Sequence, residues 1–224
     1  MTTIIAVDGP SGAGKGTISR KLAEETGFSL LDSGALYRVT ALAALKQGAD
    51  IQDESAVVPI ALNLPVIFET TIDDTKVILA GEDVSREIRT EKAGMNASIV
   101  AAFPGVRSAL LQRQRAFAQE PGLVADGRDM GTVVFPQAQL KIFLTASPEE
   151  RAKRRYLQLE QAGQNADMQS LIEEIRARDE RDSSRATAPL TPADDAILVD
   201  STALSIGEVN QHVFSLMKDR GLLP

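Results

Sequence analysis

The sequence predicts an α/β fold with a parallel β-sheet, and three observations support this prediction. Short apolar runs recur along the chain, separated by amphipathic stretches long enough to form helices. The first run, residues 4–8, leads through a glycine-rich turn directly into one such stretch. The chain has 224 residues, enough for one large domain or for one domain with an insertion. Strands that alternate with helices pair in parallel, and ligands then bind at the carboxyl ends of the strands.

Five apolar runs predict the strands of this sheet: residues 2–8, 28–32, 123–126, 141–145 and 196–200. The predicted helices cover residues 15–26, 35–46 and 104–119, and two more begin after Ser147 and Ser205. Each of these serines precedes a glutamate by three residues, which is the capping-box pattern of a helix start.

Residues 50–100 interrupt the alternation of strands and helices. A helix over 53–62 is followed by two antiparallel strands, a third short strand opening at Val84 and a helix over 86–102. The two antiparallel strands, residues 66–68 and 76–79, are joined by a polar turn at Asp73 and Asp74. An antiparallel meander inside such a chain predicts a separate inserted lobe. The alternative is an extension of the edge of the main sheet.

Composition excludes several classes of function. The chain has no cysteine, which excludes disulfides, thiolate zinc sites and thiol catalysis. A formal net charge of −7 argues against a general nucleic-acid-binding protein, which needs a basic face. No apolar run approaches the length of a membrane span, about 18 residues. We therefore expect a soluble, cytoplasmic monomer whose ligands are small molecules, with no nucleic-acid or membrane partner.

The loop after the first strand is predicted to bind phosphate. It reads Gly9, Pro10, Ser11, Gly12, Ala13, Gly14, Lys15, Gly16, Thr17. Glycines let backbone N–H groups converge on phosphate oxygens at the positive end of a helix. Lys15 adds a charge for the β- and γ-phosphates of a ligand. Gly16 stands where a hydroxyl usually follows the lysine, so Thr17 supplies the hydroxyl for Mg²⁺.

Charged residues follow the second and third strands. Asp126 ends an apolar run, where an acid that organises Mg²⁺ is expected, whereas Asp129 is suited to bind a base or ribose. The sequence alone does not divide these two roles. Arg38 and Arg128 are predicted to point into the same crevice as Lys15 and to bind a ligand there, the alternative being surface salt bridges.

A second group of arginines lies near the C-terminal end of the chain: Arg151, Arg154, Arg155, Arg176, Arg178, Arg181 and Arg185. Acidic residues alternate with them, so a solvated helical hairpin with many salt bridges is one interpretation. The other is a mobile lid that brings arginines over a transferring phosphoryl group and excludes water.

The sequence offers no general base beside these groups, since its single histidine, His212, falls in the last helix and is assigned to structure or surface. An alcohol acceptor usually needs a base, whereas a nucleoside monophosphate dianion is already nucleophilic because its second pKa lies near 6. The residues therefore favour a nucleotide as the phosphoryl acceptor.

Four segments carry a resemblance to a known family: residues 8–17, 31–38, 126–132 and 178–182. Over essentially its whole length the chain resembles the bacterial cytidylate kinases, which are P-loop nucleoside monophosphate kinases. The resemblance implies a P-loop kinase core with a five-stranded parallel sheet, formed by residues 1–50, 101–150 and 186–224. It also implies an antiparallel nucleoside-monophosphate-binding insertion at about 51–100 and an arginine-rich helical lid at about 151–185.

The resemblance further implies Mg²⁺-dependent phosphoryl transfer from ATP to CMP or dCMP. Lys15, Arg128 and Arg185 would be catalytic, residues 9–17 would bind ATP, and Thr17 with Asp126 would hold the metal. Arg38, Arg128 and Arg185 would bind the acceptor phosphate, with Ser33 near it. Ser98, Arg107 and Asp129 would bind cytosine, and Arg178 and Asp182 the sugar. The alternatives are a kinase of the same fold acting on UMP, AMP or shikimate, or a GTP-dependent switch, although the chain has no N-K-x-D or D-x-x-G motif.

Overall fold

The computed structural model describes residues 2–70, 75–161 and 163–223. The strands are β1 Thr3–Asp8, β2 Ser29–Asp32, β3 Val66–Thr70, β4 Thr75–Leu79, β5 Glu82–Asp83, β6 Gly122–Gly127, β7 Leu140–Thr145 and β8 Ile197–Asp200. The helices are α1 Lys15–Thr26, α2 Ser33–Lys46, α3 Glu54–Leu62, α4 Glu91–Val100, α5 Pro104–Arg115, α6 Pro148–Gln161, α7 Met168–Ser184 and α8 Ile206–Asp219. Short helical turns cover Glu87–Arg89 and Met130–Val134.

The chain divides into two compact units. The first unit comprises Met1–Leu31 and Phe117–Pro224, and the second comprises Asp32–Ala116. The predicted division into a core, an insertion at about 51–100 and a lid at about 151–185 stays a prediction.

The first unit contains the predicted parallel sheet, with five described strands in the order β2-β6-β1-β7-β8. Its central strands are buried on both faces, which explains their nearly continuous apolar sequence. Ile18 and Leu22 of α1 pack into the same core as Val213 and Met217 of α8. The order of the strands places β1 and the loop that follows it at the centre of the sheet. The α/β prediction is confirmed.

The second unit is built around α2, whose buried residues Leu36, Val39 and Ala43 explain its almost uninterrupted apolar sequence. Strands β3, β4 and β5 form an antiparallel sheet of their own, so the extension of the main sheet is excluded for the described residues. The predicted turn at Asp73 and Asp74 lies outside the described residues.

Three predicted boundaries were wrong. The third short strand covers Glu82–Asp83 and ends before Val84, because the Asp83 carboxylate accepts hydrogen bonds from the Ser85 N–H and hydroxyl and turns the chain. The helix predicted over 86–102 is divided, because the Thr90 hydroxyl accepts from the Ala93 N–H and starts α4 anew. Helix α5 ends at Arg115, short of the predicted end at residue 119.

The predicted helix starts are confirmed. The Ser147 hydroxyl accepts from the Glu150 N–H at 3.2 Å, and Ser205 and Glu208 form a complete capping box. Among the described residues, each helix is too short or too polar to cross a lipid bilayer.

Candidate functional site

The loop between β1 and α1 has a backbone that only glycine adopts readily. Gly9, Gly12 and Gly14 have φ angles of 145°, 78° and 97°, where a side chain is strained. A Cβ atom at Gly9 would lie 1.9 Å from the carbonyl oxygen of Leu144, so β7 approaches the loop closely. Gly14 is the N-cap of α1, and the loop therefore ends at the positive end of that helix.

Side chains from elsewhere in the first unit hold the carbonyl oxygens of this loop. Lys15 Nζ donates to Pro10 O at 2.8 Å, and Arg151 Nη1 donates to Ser11 O at 2.9 Å. The Ala13 carbonyl accepts from Ser201 Oγ at 3.2 Å and from Arg154 Nη1 at 3.4 Å. Three peptide units of the loop are thus fixed from the carbonyl side.

Lys15 is buried at the start of α1, although a lysine normally keeps its charge in water. Burial, followed by the positive charge of Arg128, lowers the pKa of Lys15 to about 7, against the opposing effect of Asp126 and Asp8. A polyanion bound here would reverse this shift, since it would stabilise the charged ammonium group. The site is therefore arranged to bind negative charge.

Asp8, the last residue of β1, supports the segment after β6. Its two carboxylate oxygens accept from the N–H groups of Met130 and Gly131, both at 2.8 Å. Burial raises the pKa of Asp8 to about 7, although these two hydrogen bonds lower it. Asp8 was not among the predicted site residues. The signal that could have revealed it is an acidic residue at the end of an otherwise apolar strand.

The predicted metal ligands lie near the first turn of α1. The Asp126 carboxylate is 3.5 Å from the position that a Cβ atom would take at Gly16, and Thr17 is exposed one residue later. The described residues contain no group of three or more His, Cys, Asp or Glu side chains that could hold a metal. One hydroxyl and one carboxylate suit Mg²⁺, which keeps several waters and also binds substrate phosphates.

Helix α7 brings further charged residues to this part of the first unit. Asp182 accepts from Arg128 Nε at 3.2 Å, and Arg178 Nη1 donates to the Ser11 hydroxyl at 3.2 Å. Arg185, at the end of α7, donates from Nε to the carbonyl oxygen of Ala188. Asp129, which follows β6, is buried. The structure thus brings Arg128, Arg178 and Asp182 near the loop that contains Ser11 and Lys15.

The remaining arginines of the C-terminal group differ in their surroundings. Arg151 and Arg154 contact the loop after β1 through its carbonyl oxygens. Arg176 pairs with Glu149, and more than half of each side chain is exposed. Arg176 therefore fits the solvated-hairpin interpretation, and we do not place it in the site. Arg155 of α6 is half-buried and donates from Nη1 to Gln158 Oε1 at 3.4 Å.

The second unit contains the other predicted residues. Arg107 on α5 stacks over the Tyr37 ring at 5.5 Å and donates to Ala101 O at 3.1 Å. Ser33, the first residue of α2, donates to Gln114 Oε1 at 2.7 Å. Gln114 was not among the predicted site residues. It is buried and lies seven residues after Arg107, on the same face of α5, and this spacing could have pointed to it.

The second unit also contains Arg38 and Ser98, and the single histidine of the sequence lies on α8. Arg38 donates from Nη1 to Ile88 O at 3.1 Å, and Ser98 is half-buried on α4. The predicted approach of Arg38 to Lys15 stays a prediction. His212 is exposed on α8, as expected of a surface residue.

Comparison with known proteins identifies the family. The family model described as Cytidylate kinase matches residues 5–219. The chain is 61% identical to a cytidylate kinase of Aeromonas hydrophila over 209 residues, which are 93% of this chain and 91% of that protein. It is 60% identical to a cytidylate kinase of Saccharophagus degradans over 223 residues, 99% and 100% of the two chains. A cytidylate kinase of Vibrio cholerae is 58% identical over 219 residues, 98% and 97% of the two chains. The chain belongs to the cytidylate kinase family.

Proposed function

We propose that the protein transfers the γ-phosphoryl group of ATP to CMP or dCMP, producing ADP and CDP or dCDP in a reaction that depends on Mg²⁺. The observation that carries this proposal is the family match over residues 5–219, which spans the phosphate loop and every residue assigned below. The geometry of the first unit supports it, because a buried lysine and several arginines surround a glycine loop.

The donor ATP binds the loop of residues 9–17. Backbone N–H groups of the loop and the positive end of α1 hold the phosphate oxygens, and Lys15 neutralises the β- and γ-phosphates. Thr17 and Asp126 would hold Mg²⁺. When bound, Mg²⁺ would neutralise charge on the phosphates. The Thr17 hydroxyl and the Asp126 carboxylate would be its protein ligands.

The acceptor phosphate is bound by arginine side chains: Arg38, Arg128 and Arg185, with Ser33 near it. Two phosphate groups repel one another, so transfer requires positive charge that holds both in line. Of these residues, Arg128 lies close enough to Lys15 for their charges to interact. No general base is needed, because the monophosphate is a dianion at neutral pH.

The second unit contains residues suited to recognise the cytosine base. Arg107 is held by the Tyr37 ring and the Ala101 carbonyl, so its planar guanidinium has a fixed orientation in which to donate to O2 or N3. Ser98 is assigned to the base, and Asp129 of the first unit accepts from the N4 amino group. Arg178 and Asp182 hold the sugar. We further propose that the antiparallel insertion is the monophosphate-binding lobe and that α6 and α7 form the lid.

A coupled assay of ADP release tests the proposal directly. CMP, dCMP, UMP, AMP and shikimate are compared at equal concentration with ATP and Mg²⁺. We expect CMP and dCMP to give turnover far above the other acceptors. Equal rates with UMP would contradict the assigned cytosine recognition. Binding of GTP in preference to ATP, without turnover, would favour a regulatory switch instead. We further propose that the protein acts as a monomer.

A further inference from the structure

Arg151 is a buried arginine of α6 whose side chain contacts the loop after β1, and only 2% of the residue is exposed. Its Nε donates to Ala146 O at 2.9 Å, and its Nη1 donates to Ser11 O at 2.9 Å. The same guanidinium forms a bidentate pair with Asp179 of α7, through Nη1 at 3.0 Å and through Nη2. One side chain thus joins the residue that follows β7, the phosphate loop and α7.

The contact with Ser11 fixes the direction of a backbone N–H group. The Ser11 carbonyl and the Gly12 N–H belong to one planar peptide unit, in which they point in opposite directions. Because Arg151 holds the carbonyl on one side, the Gly12 N–H is directed to the other side. Lys15 holds the Pro10 carbonyl and Ser201 holds the Ala13 carbonyl, so two other peptide units of the loop are oriented in the same way. Arg151 therefore orients one of the N–H groups available to a bound phosphate.

The contact with Asp179 connects the same loop to residues that bind the nucleotides. Asp179 immediately follows Arg178, which donates to the Ser11 hydroxyl, and precedes by one helical turn Asp182, which accepts from Arg128. A helix moves as a rigid unit, so the place where Asp179 is held determines where Arg178 and Asp182 lie. The Arg151–Asp179 pair, together with the contact of Arg178 with Ser11, therefore holds α7 beside the phosphate loop.

We propose that Arg151 is a positioning residue for phosphoryl transfer, with two separable effects. Through Ser11 it orients the loop N–H that binds the donor phosphates. Through Asp179 it holds α7 where Arg178 and Asp182 act. The inference rests on the proposed function, since it assigns Arg151 a part in that reaction. A lysine cannot replace it, because a single ammonium group lacks the planar fork that reaches two carbonyls and a carboxylate together.

Steady-state kinetics of three variants test the proposal. In Arg151→Lys we expect a rise in KM for ATP and a fall in kcat, together about 10- to 100-fold in kcat/KM, since a displacement of about 1 Å costs about 100-fold. In Asp179→Asn the contact of Arg151 with Ser11 remains. We therefore expect KM for ATP to change less than about threefold while kcat falls about tenfold.

The control is Arg176→Met, which breaks an ion pair joining the same two helices at an exposed position, away from the loop. We expect its kinetic constants to equal those of the wild type. Wild-type values of kcat and KM for ATP in Arg151→Lys, with only a lower melting temperature, would show a merely structural role and overturn the proposal. If Arg151→Lys does not fold, the test is the kcat of Asp179→Asn. An unchanged kcat in that variant would overturn the proposal. Failure of the wild type to phosphorylate CMP would instead refute the proposed function.

Discussion

Arg128 and Asp182 form a largely buried ion pair in the first unit, with 3.2 Å between Nε and Oδ2. Arg128 follows β6 and Asp182 lies on α7, so the pair joins two segments far apart in the chain. The pair orients the guanidinium assigned to the acceptor phosphate. Arg128 therefore makes a structural contact in addition to the catalytic role that we propose for it, and experiments can separate the two.

Arg128→Ala should lower kcat with CMP by more than about 100-fold, because the charge that holds the acceptor phosphate is lost. It should also cost about 3 kcal/mol of stability, because Asp182 would remain buried without this partner. Adding Asp182→Asn should recover much of the stability but none of the activity. Urea unfolding and the ADP-release assay measure the two effects. Recovery of turnover in the double variant would show that Arg128 acts only through structure.

Gly9→Ala should destabilise the protein by at least about 3 kcal/mol and abolish ATP binding, because the new Cβ would lie 1.9 Å from a backbone oxygen of β7. Gly81→Ala is the matched control. Gly81 also has a positive φ, 88°, but apart from its chain neighbours no described residue lies within 4 Å of its Cβ position, so only about 1 kcal/mol of backbone strain is expected. The urea concentrations at the unfolding midpoints of Gly9→Ala and Gly81→Ala measure the difference in stability. Equal losses would mean that the close approach of β7 does not constrain the loop.

Asp8 should make stability fall between about pH 4 and pH 7. Burial raises the pKa of Asp8 from 3.8 to about 7 in the folded protein. The unfolded chain therefore ionises first, and the contribution of Asp8 is complete below about pH 4 and lost as the pH rises through about 7. The free energy of unfolding of the wild type minus that of Asp8→Asn isolates this effect, since other groups titrate in both proteins. A difference that grows with pH would show that the Met130 and Gly131 hydrogen bonds outweigh burial.

Arg107→Lys should raise KM for CMP by about tenfold and leave KM for ATP unchanged. Lysine keeps the charge but loses the planar group that stacks on Tyr37 and donates in a fixed direction. Arg113→Lys, on the same helix and outside the assigned residues, should change neither constant. Initial rates with CMP and UMP measure the effect, and discrimination between them should decrease. Unchanged discrimination would remove Arg107 from base recognition.

Some features of the structure are determined by residues that are close together in the sequence. The positive φ angles of the loop require glycine at Gly9, Gly12 and Gly14. Ser147 and Ser205 begin their helices with side chains that cap nearby N–H groups. The apolar runs predicted the strands because strands buried on both faces have no polar side. Asp126 and Arg128 could be predicted because they lie at and just beyond the carboxyl end of β6, and Lys15 because it follows the glycine-rich turn.

Only the tertiary structure decided which distant residues support the loop. Arg151 contacts Ser11 across 140 positions of the chain, and Asp8 contacts Met130 across 122. Such pairs leave no periodic signal, because they arise when the sheet places the ends of β1, β6 and β7 side by side. The sequence suggested that Arg151 is one of the arginines of a lid. In the folded chain its side chain is buried against the phosphate loop. Its three acceptors, two carbonyl oxygens and a carboxylate, come together only when the chain has folded.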